Sequence, residues 1–107
     1  MGVKLVMLFP TPVDVATFER AYQNEQLPLV VTQLAGKTRG VLTRVLGAPG
    51  GQAPFYRITE IHFSSLEALQ ASLAAREAQS VAANAVSISS GGLPIFLVCD
   101  EVPLPLG

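Results

Sequence analysis

Four short segments rich in β-branched and aromatic residues divide the chain, and three of them lack the alternation of a half-exposed strand. In the first, residues 3–9, Leu5 and Met7 fall on one face while Val6 and Leu8 fall on the other. The other three predicted strands cover residues 41–46, 55–63 and 93–99. The third and fourth share the two-sided apolar character of the first. An antiparallel sheet built from such strands needs cover on both faces.

A helical pattern separates the first two strands. Phe18, Tyr22 and Gln26 recur at spacing four, which stacks them on one face of a helix. Pro28 lacks a backbone donor and disfavours helical geometry in the residue before it. We therefore expect the helix to break near Gln26 and to resume as a short turn over residues 28–34.

Capping residues mark the beginnings of both helical segments. Asp14 is suited to cap the first helix, and Ser64 with Glu67 matches a capping box for the second. The second segment is leucine-rich over residues 66–73 and continues as an alanine-rich helix over residues 76–86. The segment between the second and third strands, residues 47–54, joins two strands and lacks a Lys-Ser/Thr pair, so a hairpin connection is favoured over a phosphate loop.

The resulting order of elements is β-α-β-β-α-β. This order predicts an α+β, ferredoxin-like domain over residues 1–107, with a four-stranded antiparallel sheet, both helices on one face and an extended tail from about residue 100. The second face then needs a partner, because 50% of residues are hydrophobic and only 14% are charged, against about 25% in an average domain. We expect a homodimer joined sheet to sheet.

Composition excludes several classes of partner and cofactor. A formal net charge of −1 without a basic cluster argues against nucleic acid. The single cysteine, Cys99, cannot form an internal disulfide, and the sequence contains neither a long apolar run nor a signal-peptide pattern, so a cytoplasmic protein without membrane association is expected. The absence of metal-ligand spacing and of cofactor fingerprints predicts no metal, flavin, haem or nucleotide.

A few polar residues are candidates for a ligand pocket. Tyr22 is either a pocket hydroxyl or a core aromatic, and Gln26 lies beside it where Pro28 disturbs the helix. His62, the only histidine, is either a titratable site residue or a half-exposed strand residue. Glu60 either tunes His62 or pairs with an arginine. Arg44 either holds an anionic substrate or pairs with Glu60, and the pairing is favoured. The pocket candidates are therefore Phe18, Tyr22, Gln26, Glu60 and His62.

The most distinctive stretch is Phe18-x-x-x-Tyr22-x-x-x-Gln26-x-Pro28-Leu29. With residues 3–8, 44–49 and 60–63, it resembles the EthD family, named for ethyl tert-butyl ether degradation, within the dimeric α+β barrel superfamily. The resemblance implies a small-molecule role, with aromatic or polyketide-like ligands, and relatives that include cofactor-independent monooxygenases, isomerases and dehydratases. It also implies that the face carrying Glu60 and His62 lines the cleft between sheet and helices.

One position departs from the family pattern. The family carries histidine two residues before the proline, where this chain has Gln26. Glutamine forms hydrogen bonds but exchanges no proton near neutral pH. Its presence at this position favours a binding role over a catalytic one. Three hypotheses stay open. The first is a cofactor-independent enzyme or small-molecule handling protein acting on an apolar ligand in the helix–sheet cleft. The second is a non-catalytic accessory or binding protein of an oxidative catabolic pathway, and the third is a domain kept mainly for its dimeric assembly.

Overall fold

A four-stranded antiparallel sheet with strand order β2-β3-β1-β4 forms the framework of the computed structural model, which describes residues 2–107. Its strands are β1 Gly2–Pro10, β2 Lys37–Arg44, β3 Phe55–Phe63 and β4 Ile95–Glu101. Its helices are α1 Val15–Ala21, α2 Leu27–Gln33, α3 Leu66–Ala74 and α4 Ala78–Ile88, with a π-helical turn, Tyr22–Gln26, between α1 and α2. The predicted ferredoxin-like α+β arrangement is confirmed.

The register of β1 decides which face of the sheet meets the helices. Leu5 pairs with Ile61 and Met7 pairs with Thr59, and directly paired residues of antiparallel strands project to the same side. Leu5, Met7 and Ile61 join one buried apolar cluster with residues from all the helical segments, and Thr59 is also buried. Its larger members are Leu5, Met7, Phe9, Phe18, Tyr22, Val30, Leu34, Ile61, Phe63, Leu69, Val81 and Ile88. All helices therefore cover the same face, as predicted.

The first helix runs on where a break was expected. The backbone N–H of Leu27 donates to the carbonyl of Tyr22, five residues earlier, so a widened turn carries the chain into α2. Pro28 supplies no N–H to the carbonyl four residues before it, and the wider turn lets the helix pass this missing bond without ending. No helix within residues 2–107 is long and apolar enough to cross a membrane.

Cap and strand bounds shift by a few residues. Asp14 accepts a hydrogen bond from the Thr17 amide as expected, whereas the cap of α3 is Ser65 and not Ser64. The strand β2 begins at Lys37, earlier than predicted, because the turn before it uses Gly36 with φ 84°. Strand β4 extends to Glu101 because that residue still pairs with Gly2 of β1.

The sheet face that points away from the helices, called the open face here, is largely apolar at its centre. Val6 pairs there with Leu97, and Leu8 pairs with both Ile58 and Ile95. The side chains of Leu97 and Ile95 are 44% and 41% exposed. The helices leave this surface uncovered.

A close approach between two loops depends on Gly91. A β-carbon placed there would lie 1.8 Å from the Thr11 carbonyl oxygen, a backbone atom that cannot swing away. Gly91→Ala should therefore lower the free energy of unfolding by about 1–3 kcal/mol, as overpacking does. Urea-induced or thermal unfolding measures the change.

Gly47→Ala is the matched control, because a β-carbon at Gly47 would meet no atom within 4 Å. Its stability should equal or slightly exceed that of the parent, since alanine restricts the unfolded chain. Equal stabilities of the two variants would contradict the close approach at Thr11.

Candidate functional site

The predicted face of the first helix points into the protein. Phe18 is 2% exposed, and Tyr22 and Gln26 are completely buried. The rings of Phe18 and Tyr22 stack with centroids 5.6 Å apart, and Phe9 of β1 meets both rings edge-on. Aromatic side chains therefore fill the space between this helix and the sheet.

Both the hydroxyl and the ring of Tyr22 contact other side chains inside the protein. Its hydroxyl lies 2.5 Å from Thr59 Oγ1, and the guanidinium carbon of Arg57 lies 5.0 Å from its ring centroid. Burial raises the pKa of Tyr22 above its ordinary value of 10.0, although the hydrogen bond with Thr59 opposes the rise. The hydroxyl is neutral at physiological pH and already hydrogen-bonded within the core.

A second polar cluster, missed by the sequence reasoning, surrounds Glu19. Its Oε1 atom accepts hydrogen bonds from the Tyr56 hydroxyl at 3.0 Å and from Arg57 Nε and Nη2 at 3.1 and 2.6 Å. Glu19 Oε2 is buried without a partner among residues 2–107. Burial, followed by the bond to Glu19, raises the pKa of Tyr56. A signal was available, because Glu19 precedes Tyr22 by three residues and so lies near the same helix face.

Gln26 holds the π-helical turn against α4. Its Nε2 atom donates to the Val81 carbonyl at 3.3 Å, and its Oε1 atom accepts from Asn84 Nδ2 at 3.0 Å. Both ends of the amide are thus used inside the protein. The arrangement makes Gln26 a connection between two helices.

A small cavity, called the apolar cleft here, lies next to this connection. It has a volume of about 130 Å³ and lies between the helices and the sheet. Val81, whose carbonyl bonds Gln26, forms part of its wall. Its lining residues are all apolar: Leu5, Met7, Leu34, Leu73, Ala78, Val81, Ala82 and Phe96. The cleft offers dispersion contacts and no ionisable side chain.

The expectation that Glu60 and His62 line the cleft is wrong. Glu60 pairs in register with Val6, and His62 pairs with Lys4, so both project onto the open face. Side chains alternate along a strand, so they cannot share the side of Ile61, which lies in the core. The structure therefore separates these two residues from Phe18, Tyr22 and Gln26.

On the open face these two residues belong to an ionic cluster. Lys4 Nζ lies 3.0 Å from Glu60 Oε2, so Glu60 pairs with Lys4 and not with Arg44 as favoured from the sequence. His62 Nε2 lies 2.5 Å from Glu101 Oε1. The hydrogen bond with His62, with help from nearby cations, lowers the pKa of the Glu101 carboxyl.

Two known proteins are similar to this chain over nearly its whole length. An EthD family protein from Bacillus halodurans has 28% sequence identity and a TM-score of 0.87, covering 95% of this chain and all of that one. An uncharacterised 11.0 kDa protein from Rhodococcus erythropolis, from the thcB–thcC intergenic region, is 24% identical over 95% of this chain and 98% of its own length. No family model matches the chain.

Two more distant structures show the fold alone. A protein from Jannaschia sp., described as dimeric and ferredoxin-like, has 12% identity and a TM-score of 0.68 over 94% of this chain and all of that one. SnoaB, a cofactor-independent oxygenase from Streptomyces nogalater, has 14% identity and a TM-score of 0.65 over 99% and 98% of the two chains. The Bacillus structure confirms that this chain resembles an EthD family protein over nearly its whole length, and the two distant structures confirm the ferredoxin-like fold.

Proposed function

We propose that the protein is a homodimeric, non-catalytic binding protein for a small apolar or aromatic molecule, which it holds in the apolar cleft. The lining of the cleft by eight apolar residues is the observation that carries this proposal. A volume of about 130 Å³ suits a ligand of one small ring, since an engineered protein cavity of about 150 Å³ binds benzene. Similarity to an EthD family protein supports small-molecule handling.

Binding is favoured over catalysis by the state of the polar groups near the cleft. Gln26 occupies the position of the family histidine, and both ends of its amide form hydrogen bonds with residues of α4. The Tyr22 hydroxyl forms a hydrogen bond with the Thr59 hydroxyl. We infer an accessory role in handling apolar compounds, in the cytoplasm, where the free thiol of Cys99 suits a reducing environment.

Benzene is the probe for the cleft. Titration of the protein with benzene, followed by amide chemical shifts, should give saturable changes centred on residues such as Met7 and Val81. Ala82→Phe should abolish these changes, because Ala82 lines the cleft and is otherwise exposed, so the larger ring fills the cavity without disturbing the core.

The control is Ala83→Phe, which places the same ring on the next, exposed residue of α4 outside the cleft. This variant should bind benzene as the parent does. Absence of saturable binding by the parent, or equal binding by both phenylalanine variants, would refute the cleft as the ligand site.

The open face supports the dimeric part of the proposal. Its apolar centre is uncovered in a single chain, and apolar sheet faces are stabilised when a second layer packs on them. The Jannaschia protein of the same fold is described as dimeric. We therefore propose a sheet-to-sheet dimer that buries more than about 1,200 Å² in total.

A charge at Leu97 tests this interface. Leu97→Asp places an unpaired carboxylate in the middle of the open face and should raise the dimer dissociation constant on the order of a hundredfold. Sedimentation velocity at micromolar concentration would show a monomer. Val31→Asp, at a 63% exposed residue of α2, should remain dimeric. A parent protein that sediments as a monomer would rule out the dimer.

The structural role assigned to Gln26 has its own test. Gln26→Leu removes the partner of Asn84 Nδ2 and of the Val81 carbonyl, and should lower the free energy of unfolding by about 1–3 kcal/mol. Gln23→Leu, at an exposed position of the same π-helical turn, should change stability little. Urea denaturation compares the two, and equal stability would argue against a structural role for the Gln26 amide.

A further inference from the structure

A second cavity, separate from the apolar cleft, lies at one end of the open face, beyond the apolar centre that the proposed dimer covers. It has a volume of about 610 Å³ and lies where β1 begins and β3 ends. Arg39, His62 and Glu101 contribute its polar wall, and Phe63, Val102 and Pro103 contribute its apolar wall. It shares no lining residue with the apolar cleft.

The absence of a side chain at Gly2 allows side chains from three strands to come into contact here. A β-carbon at Gly2 would lie 2.6 Å from Glu101 Cγ, because the Glu101 side chain crosses β1 above this glycine. It thereby reaches His62 on β3, which is also within 3.1 Å of Arg39 Nη2 on β2. The polar wall is thus formed by residues of β2, β3 and β4, and the Glu101 side chain crosses β1 to reach the other two.

His62 Nε2 donates to Glu101 and therefore cannot accept a hydrogen bond from Arg39. A carboxylate only accepts hydrogen bonds, so the 2.5 Å contact with Glu101 requires Nε2 to carry the hydrogen and donate it. The same nitrogen then has no lone pair to accept from Arg39. The nearest carboxylate oxygen to Arg39 is Glu101 Oε1 at 3.9 Å, and the arginine side chain is 62% exposed.

The other charges of the cluster do not satisfy Arg39 either. Lys4 and Glu60 form their own close pair at 3.0 Å. Lys4 also lies 3.8 Å from Glu101 and so shares the carboxylate nearest to Arg39. Within residues 2–107, His62 Nδ1 is a further buried polar atom without a partner. The cavity wall therefore presents a guanidinium whose nearest carboxylate oxygen lies beyond hydrogen-bond distance.

We propose that this cavity binds a small carboxylate with an apolar body. The guanidinium of Arg39 takes the carboxylate through two parallel N–H donors, the geometry for which arginine is suited. The apolar body packs against the exposed Val102 and Pro103. Glu101 has a positioning role, because it holds the Nε2 hydrogen of His62 and so leaves the arginine donors to the ligand.

Benzoate is the probe, and calorimetric titration of the protein is the measurement. The parent should bind benzoate saturably and should bind benzamide, which has the same ring without the charge, much more weakly. Arg39→Gln should weaken benzoate binding by at least about tenfold, as expected for loss of charged hydrogen bonds. Arg44→Gln, at an exposed arginine of the same strand that does not line the cavity, should leave it unchanged.

Two further variants separate this site from its alternatives. Glu101→Gln keeps an acceptor for His62 and removes the negative charge near Arg39, so it should tighten benzoate binding. Ala82→Phe, which fills the apolar cleft, should leave benzoate binding intact, so failure of the proposed function and failure of this inference are distinguishable. Equal binding of benzoate and benzamide, unchanged affinity in Arg39→Gln, or no binding by the parent would each overturn the proposal.

Discussion

The two-residue period of β1, at the centre of the sheet, is the constraint on which the rest of the molecule depends. Leu5, Met7 and Phe9 face the helices, and Lys4 and Val6 face the opposite way. Strand β1 pairs with both β3 and β4, and paired residues project to the same side of the sheet. The alternation in β1 therefore decides which side chains of β3 and β4 face the helices. One strand thereby separates an aromatic core from an open face that combines an apolar centre with an ionic cluster at its end.

The π-helical turn has a comparable influence on the helical layer. Without the extra residue in this turn, a proline at position 28 would end the helix. With it, the helix continues, Gln26 reaches α4, and Tyr22 reaches Thr59. The same feature closes the core around these side chains and leaves the neighbouring cleft with a purely apolar wall.

Much of the fold follows from patterns in the sequence. Strand β3, the Asp14 cap, the element order and the face shared by Phe18, Tyr22 and Gln26 all depend on local spacing. The side occupied by Glu60 and His62 could not be obtained in this way, because a strand that is apolar on both faces has no polar side to mark its orientation. Long-range partners such as Lys4 for Glu60, Arg57 for Glu19 and Glu101 for His62 depend on register and therefore on the assembled sheet.

The position of β1 between β3 and β4 also has a consequence for the order of folding. Strand β1 precedes the other strands in this chain, but its hydrogen-bonding partners are β3, residues 55–63, and β4, residues 95–101. Such non-local pairings slow folding, because a long loop must close before any contact forms. During synthesis on the ribosome, an extended segment that is apolar on both sides therefore stays without strand partners until β3 and β4 have emerged. Unpaired strands with exposed apolar side chains favour aggregation, so the pairing of β1 with β3 and β4 also removes this hazard.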